Sequence, residues 1–340
     1  MKFVFLSGVA WNSCVGGRTV QLALALSVSH EVHFVEIPSL RRWKAGKRRC
    51  GNITVHTLLP RSNRYIPRLT AAYLDRTIGL SDAVVVVSNP VWSEVVSAMD
   101  AGKIFYDYLD YVAIHSPDGK RTSELIAREK ALMARADQIL PVSRRLEEYV
   151  SSREKCCFLP NAVPASFLER EIIYPSKPVI GFHGALYEWV DYALLEEIAD
   201  TFSDCTLLLA GAVRDPASVT NLQKKSNVEF IPAFSFTELP GIIDRFTVGI
   251  IPFLDDEVAR CADPLKSYEY LSCGRRVVST VSSAVESDMQ VVTDRENFCR
   301  KLREALDAGA SPDICRDAVR EHTWEQRASV MVRLAGEIDG

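Results

Sequence analysis

Long hydrophobic runs are missing from this sequence. No stretch approaches the ~20 consecutive apolar residues that a bilayer-spanning helix needs. The N-terminal MKFVFLSG carries only a short apolar run before a polar loop. It is too short for a signal peptide and reads as a first strand. Low-complexity tracts and solenoid-period repeats are absent, which sets aside disorder and repeat architectures. Nine cysteines form no CxxC pair; Cys156 and Cys157 are adjacent and the rest are scattered. That pattern lacks metal-ligand spacing and argues for reduced thiols in a cytoplasmic setting, most of them small core residues. There is no P-loop, GxSxG or HExxH, so kinase and hydrolase readings lack support. The loops SGVAWNSCVGG and GFHGAL also fail the GxGxxG spacing of a nicotinamide dehydrogenase. A formal charge of −4 is too mild for a nucleic-acid binder.

What is present is an α/β pattern long enough for two domains. The chain has 340 residues, 47% hydrophobic and 25% charged, ample for two cores. Short apolar runs alternate with helical segments, the mark of parallel sheets. Strands are expected at Lys2–Leu6, Glu31–Ile37, Ile53–Leu58, Ala83–Val87, Lys103–Asp107 and Gln138–Pro141. The segment Leu159–Ser176, with Pro160, Pro164 and Pro175, reads as an interdomain connection. A second series then begins, with strands expected at Val179–Phe182, Thr206–Ala210, Val228–Ile231, Val248–Pro252 and Arg276–Thr280. A ligand is expected at the C-terminal strand ends.

One window departs from the average. From Arg41 to Arg76 ten basic residues (Arg41, Arg42, Lys44, Lys47, Arg48, Arg49, Arg61, Arg64, Arg68, Arg76) face one acid, Asp75, for a local charge of about +9. Such a window is either a solvated loop or a face for an anionic acceptor or an anionic membrane leaflet. Trp43, Tyr65 and Ile66 lie among the charges, as a peripheral membrane contact requires.

The most informative stretch is DPLKSYEYLSCG, Asp263–Gly274. Asp263 suits an N-cap, Pro264 a first helical position, and Gly274 a helix end. The helix start and Lys266 together suit a diphosphate. Glu269, one turn on, can accept hydrogen bonds from ribose hydroxyls. The competing reading is a surface helix with an i,i+3 Lys266–Glu269 pair. A second stretch, GFHGALYEWVD (Gly181–Asp191), places Gly184 where backbone approaches a phosphate and Asp191 where it caps a helix. His183 and Trp189 in it read as packed residues. A third, FYDYLDY (Phe105–Tyr111), ends a strand with two carboxylates three residues apart, suited to general-base work on a hydroxyl. Asp110 is the candidate base, since Asp107 still belongs to the strand. Asp107 and His115 are the runners-up, the histidine because it titrates near neutrality. The competing reading is that both carboxylates merely cap the next segment.

These stretches resemble GT-B glycosyltransferases, in particular bacterial enzymes of teichuronic-acid and capsular-polysaccharide type. The donor-helix pattern Asn/Asp-Pro-x-Lys-x-Tyr-Glu-Tyr-Leu-Ala-x-Gly is similar from Asp263 to Val278, with Ser272 in place of alanine. LPNAV at Leu159–Val163, ADQILPVS at Ala136–Ser143 and SGVAW at Ser7–Trp11 resemble further elements in the same order. The wider pattern has an acid eight residues before the glutamate, where this chain has Cys261.

The resemblance implies an α/β GT-B fold of two facing Rossmann-like domains with a cleft between them. An N-terminal acceptor domain would span 1–165 and a C-terminal nucleotide-sugar domain 166–322. A final helix in 323–340 would cross back to the first. It implies a donor site of Gly184, Asp263, Lys266, Ser267 and Glu269, and an acceptor-side loop at Gly16 and Gly17. The expected activity is metal-independent, hexosyltransferase-like transfer from a nucleotide-diphosphate sugar to an acceptor hydroxyl, in polysaccharide or glycoconjugate assembly. The nucleotide-sugar is a co-substrate, with no cofactor and no metal. The acceptor is a glycan, a lipid-linked or a small molecule, and nucleic acid is no partner. The protein is expected in the cytoplasm, with a peripheral contact on the inner membrane face through residues 41–76. The alternatives are a GT-B nucleotide-sugar 2-epimerase and a non-catalytic nucleotide-sugar-binding protein.

Overall fold

The structure, a computed structural model, describes residues 1–11, 17–36, 45–59, 62–111 and 119–337. It divides into two compact units: Met1–Pro160 with Trp324–Gly340, and Asn161–Thr323. The first unit therefore ends at Pro160, earlier than the expected 165, and includes the last helix.

The first unit holds a seven-stranded sheet. Its strands are β1 (Lys2–Leu6), β2 (Glu31–Glu36), β3 (Gly46–Cys50), β4 (Ile53–Thr57), β5 (Ala83–Val87), β6 (Lys103–Tyr108) and β7 (Gln138–Pro141). Their order is β3-β4-β2-β1-β5-β6-β7, parallel throughout except for the antiparallel β3–β4 pair. Phe3–Leu6 and Ala83–Val87 are buried along their whole length, as central strands covered on both faces must be. The helix Arg18–Leu26 and the final helix Trp324–Glu337 pack together in this unit.

β3 was not expected. Its sequence, GKRRC, has no apolar alternation, and four of its five residues are exposed. A charged edge strand of this kind blocks further pairing, which is why it carries no hydrophobic signature. The remainder of the basic window folds as well, into helices Ser62–Tyr65 and Pro67–Ile78. The reading of a solvated loop is thereby corrected for its described part. Arg41, Arg42, Trp43, Lys44 and Arg61 lie outside the described residues.

The second unit holds a six-stranded parallel sheet of β8 (Val179–His183), β9 (Thr206–Ala210), β10 (Val228–Ile231), β11 (Val248–Ile251), β12 (Arg276–Ser279) and β13 (Gln290–Val292). The order is β10-β9-β8-β11-β12-β13. One face packs Ile180, Phe182, Leu207 and Leu209 against helices Tyr192–Thr201 and Arg295–Asp307. The other packs Leu208, Ala210 and Val277 with Tyr268 and Leu271 of helix Leu265–Ser272.

Strand order reverses at β8 and β11, the position where open α/β sheets bind ligands. β8 pairs with β9 over five residues but with β11 only at Ile180 and Gly181. The two switch-point strands thus separate toward their C-terminal ends. No helix among the described residues is long and apolar enough to cross a membrane.

Candidate donor site and acceptor-side residues

In the second unit, β8 ends at His183 and runs directly into Gly184. The backbone there has φ of 119°, a region open to glycine but strained for other residues. Gly184 N donates to Ala210 O at 2.8 Å, and a Cβ on Gly211 would meet Gly184 O at 2.1 Å. The loops after β8 and β9 therefore touch backbone to backbone. A Cβ on Gly184 itself would lie 2.9 Å from Lys266 Cε and Nζ. The conformation calls for glycine, and any side chain there would also push the end of Lys266 from its place.

Lys266 stands in the first turn of helix Leu265–Ser272. Its Nζ lies 5.4 Å from the ring centroid of Phe182 and 5.3 Å from that of Phe253, one ring from each side of the switch point. No hydrogen bond or ion pair to it is formed among the described residues. Burial pushes its pKa below the usual lysine value, with Glu269 opposing in part. The backbone N–H groups of Leu265 and Lys266 are likewise unpartnered among the described residues, as a helix start leaves them. An ammonium held between rings beside open N–H donors is a site for an anion.

Glu269 does not pair with Lys266, so the surface i,i+3 pair is not what forms. Its side chain is buried, and Oε2 lies 3.1 Å from His183 Nε2, a contact whose angle falls short of a hydrogen bond. Burial lowers the His183 pKa, the carboxylate opposing it, so the ring is neutral near pH 7. His183 also packs edge-on against Tyr270, whose hydroxyl accepts a hydrogen bond from His183 N at 3.1 Å. Read from sequence as a packed residue, His183 is one, and its ring lies against Glu269.

Asp263 differs from its expected part. The N-cap position belongs to Pro264, which makes no side-chain cap. The Asp263 carboxylate instead accepts from Asn161 N and Tyr268 Oη, both at 2.7 Å, and from Ala284 N at 2.9 Å. Three donors occupy both of its oxygens, so it tethers the start of the donor helix to two distant segments. Ser267 is fully enclosed, its hydroxyl without a partner, and it faces no open space in this conformation. Asp191 does cap helix Tyr192–Thr201 through Leu194 N at 2.9 Å, and Arg295 grips the same carboxylate at 2.9 and 2.7 Å. Trp189 stacks on Tyr187 with centroids 4.3 Å apart and, half-buried, packs against the core as read.

In the first unit, Asp107 is fully buried at the end of β6, and its Oδ1 accepts from Arg18 Nε at 2.9 Å. Arg18 Nη1 also donates to Pro160 O at 3.0 Å, and Arg327 Nε donates to the same carbonyl at 3.0 Å. Burial raises the Asp107 pKa, with the Arg18 charge opposing. An enclosed, paired carboxylate cannot reach an acceptor, so Asp107 is an organising residue and not a base in this conformation. Asp110, just past the strand, is exposed. Gly17 precedes helix Arg18–Leu26 as its N-cap residue in extended conformation. Gly16 and His115 lie outside the described residues.

Sequence reasoning did not find Arg18, Phe182, Phe253 or Asn161.

Solved structures with similar folds include sugar-phosphate synthases of low identity. The sucrose-phosphate synthase of Thermosynechococcus elongatus superposes with a TM-score of 0.76, 14% identity, and coverage of 99% of this chain and 98% of that one. An E. coli trehalose-6-phosphate structure bound with UDP-2-fluoro glucose gives a TM-score of 0.72 at 11% identity, covering 98% of this chain and 99% of that one. Over this coverage the chain has the GT-B fold. By sequence it resembles the Bacillus subtilis (strain 168) protein named teichuronic acid biosynthesis glycosyltransferase TuaH, at 26% identity over 175 residues. That match takes in 47% of this chain and 44% of the relative, less than half the length of each. No protein-family model matches the chain.

Proposed function

We propose that the chain is a glycosyltransferase that moves a sugar from a nucleotide-diphosphate sugar to an acceptor hydroxyl, in polysaccharide or glycoconjugate assembly. The observation that carries this reading is Lys266: a cation with no hydrogen-bond or ion-pair partner among the described residues, framed by Phe182 and Phe253 at a helix start and a sheet switch point. The diphosphate of the donor binds Lys266 and the N–H groups of the first helical turn. Glu269, buried beside His183, accepts hydrogen bonds from the ribose hydroxyls. As the bond from sugar to phosphate breaks, Lys266 and the helix start stabilise the growing charge on the leaving diphosphate.

The acceptor hydroxyl is served by the first unit, where exposed Asp110 is the base that takes its proton. The nucleotide-sugar is a co-substrate in this reading, and no resident cofactor or metal is required, so transfer should persist in excess chelator. The curated relative is named as a transferase, and the E. coli structure holds a UDP-sugar analogue. Both favour transfer over the 2-epimerase alternative, and UDP is the first nucleotide to test. The acceptor is a glycan, lipid-linked or small molecule, and the basic window lends the chain a peripheral contact with the inner face of a membrane.

A thermal-shift screen with UDP, GDP, dTDP and CMP tests the donor site. One nucleotide should raise the melting temperature, and Lys266→Ala should abolish that rise. An unchanged rise removes the site. Asp110→Asn should keep the nucleotide shift and slow transfer by about 10²- to 10⁴-fold. Wild-type turnover would eliminate it as the base, and nucleotide binding without turnover on any acceptor would favour a non-catalytic binder.

A further inference from the structure

Helix Pro67–Ile78 has two apolar stripes. Thr70, Ala71, Leu74 and Ile78 are buried at helical spacing and face the core. Leu69 and Tyr73, one turn apart, point the other way and are exposed, Leu69 at 66%. Leu59, Tyr65 and Ile66 extend this outer face. Of the fourteen large hydrophobic residues exposed among those described, these five fall within residues 59–73. Such crowding is uncommon on a monomer surface, where exposed apolar residues scatter singly.

Between the end of β4 and this helix runs an apolar groove of about 390 Å³, lined by Leu58, Leu59, Ile66, Leu69 and Tyr73 among others. Arg64 and Arg76 on the helices that line it, and Lys47 on the strand paired with β4, are exposed and have no ion-pair partner among the described residues, whereas Arg68 lies in a separate pocket with Glu94, Glu124 and Arg128. Elsewhere the exposed cations of the chain often carry one, as Arg144 does with Glu147 and Arg300 with Glu304.

We infer that this face of the first unit docks on an anionic phospholipid bilayer, with Leu59, Ile66, Leu69 and Tyr73 in the headgroup–acyl boundary and one lipid tail in the groove. Unpaired cations supply the attraction to an anionic leaflet, and the aromatic and aliphatic side chains supply burial once it is reached. Neither feature serves a free soluble surface. The inference deepens the membrane contact proposed above and is independent of the transfer chemistry.

Co-sedimentation of the full chain with phosphatidylcholine vesicles, and with vesicles also containing phosphatidylglycerol, is the test. Binding should appear only with the anionic vesicles. Arg64→Glu with Arg76→Glu should reduce it by about tenfold or more, and the reduction should shrink in high salt. Leu69→Ser with Tyr73→Ser should reduce binding at every salt concentration. Tyr73→Trp fluorescence should be quenched by lipids brominated on their acyl chains. All these positions are exposed, so the variants should keep the wild-type nucleotide shift, which separates failure here from failure of the donor site. Equal binding to neutral and anionic vesicles, no binding to either, or variants that bind as the wild type would overturn the inference. So would a lipid-free dimer that Leu69→Ser dissolves, which would assign the face to a second copy of the chain.

Discussion

Each compact unit withdraws a cation from water, and the two are treated in opposite ways. Arg18 is buried against Asp107 and the carbonyl of Pro160, so its charge is compensated inside the protein. Lys266 is half-buried against two aromatic rings, with Glu269 acting on its charge only in part and no hydrogen bond or ion pair to it among the described residues. A charge that finds its partner in the fold is part of the structure, whereas one left without a partner is a cost that a ligand can relieve. The contrast separates an organising residue from a binding residue without reference to any relative.

Its sharpest test is the sign of the stability change. Arg18→Ala leaves Asp107 enclosed and unpaired and should cost about 3–5 kcal/mol in urea unfolding, with Asp107→Asn partly restoring it. Lys266→Met should leave stability unchanged or raise it by up to about 1 kcal/mol. The same variant should weaken UDP binding by about 10- to 100-fold in titration calorimetry. If Lys266→Met destabilises as Arg18→Ala does, the contrast is broken.

Histidines repeat the contrast on a smaller scale. His56, buried beside His33 with 2.9 Å between ring nitrogens, has its pKa pushed down from 6.5 to about 4 by burial first, then by His33 and Lys47. The unfolded chain therefore takes up this proton before the folded one does. The stability held above pH 6.5 is lost as pH falls toward about 4, by roughly 3 kcal/mol. Urea midpoints at about pH 7 and about pH 4.5 should differ accordingly, and His56→Gln should narrow the gap. His183 is shifted in the same direction by burial, with Glu269 opposing. The smallest effect sharpens the ligand side: Glu269→Gln should reduce a preference for UDP over 2′-deoxy-UDP from about tenfold to near parity.

Much of the fold was legible in the sequence, for a physical reason. Central parallel strands are buried on both faces, so β1, β5, β9 and β11 appear as unbroken apolar runs. β3 and helix Pro67–Ile78 were not legible, since one is an exposed charged edge and the other divides its apolar residues between the core and the surface. Lys266 and Gly184 could be nominated from helix-start chemistry and loop position. The parts played by Asp263 and Asp107 could not.

By itself, then, the sequence determined the two α/β series, the helix that starts at Leu265, and the presence of a lysine and a glutamate one turn apart on it. Tertiary structure decided which charges find partners. Arg18 meets Asp107 across 89 residues of chain, and Asp263 meets Asn161 across 102, while Lys266 forms no ion pair among the described residues. Local propensity acts over a turn or two, but electrostatic compensation depends on distance in space, which only the folded chain sets.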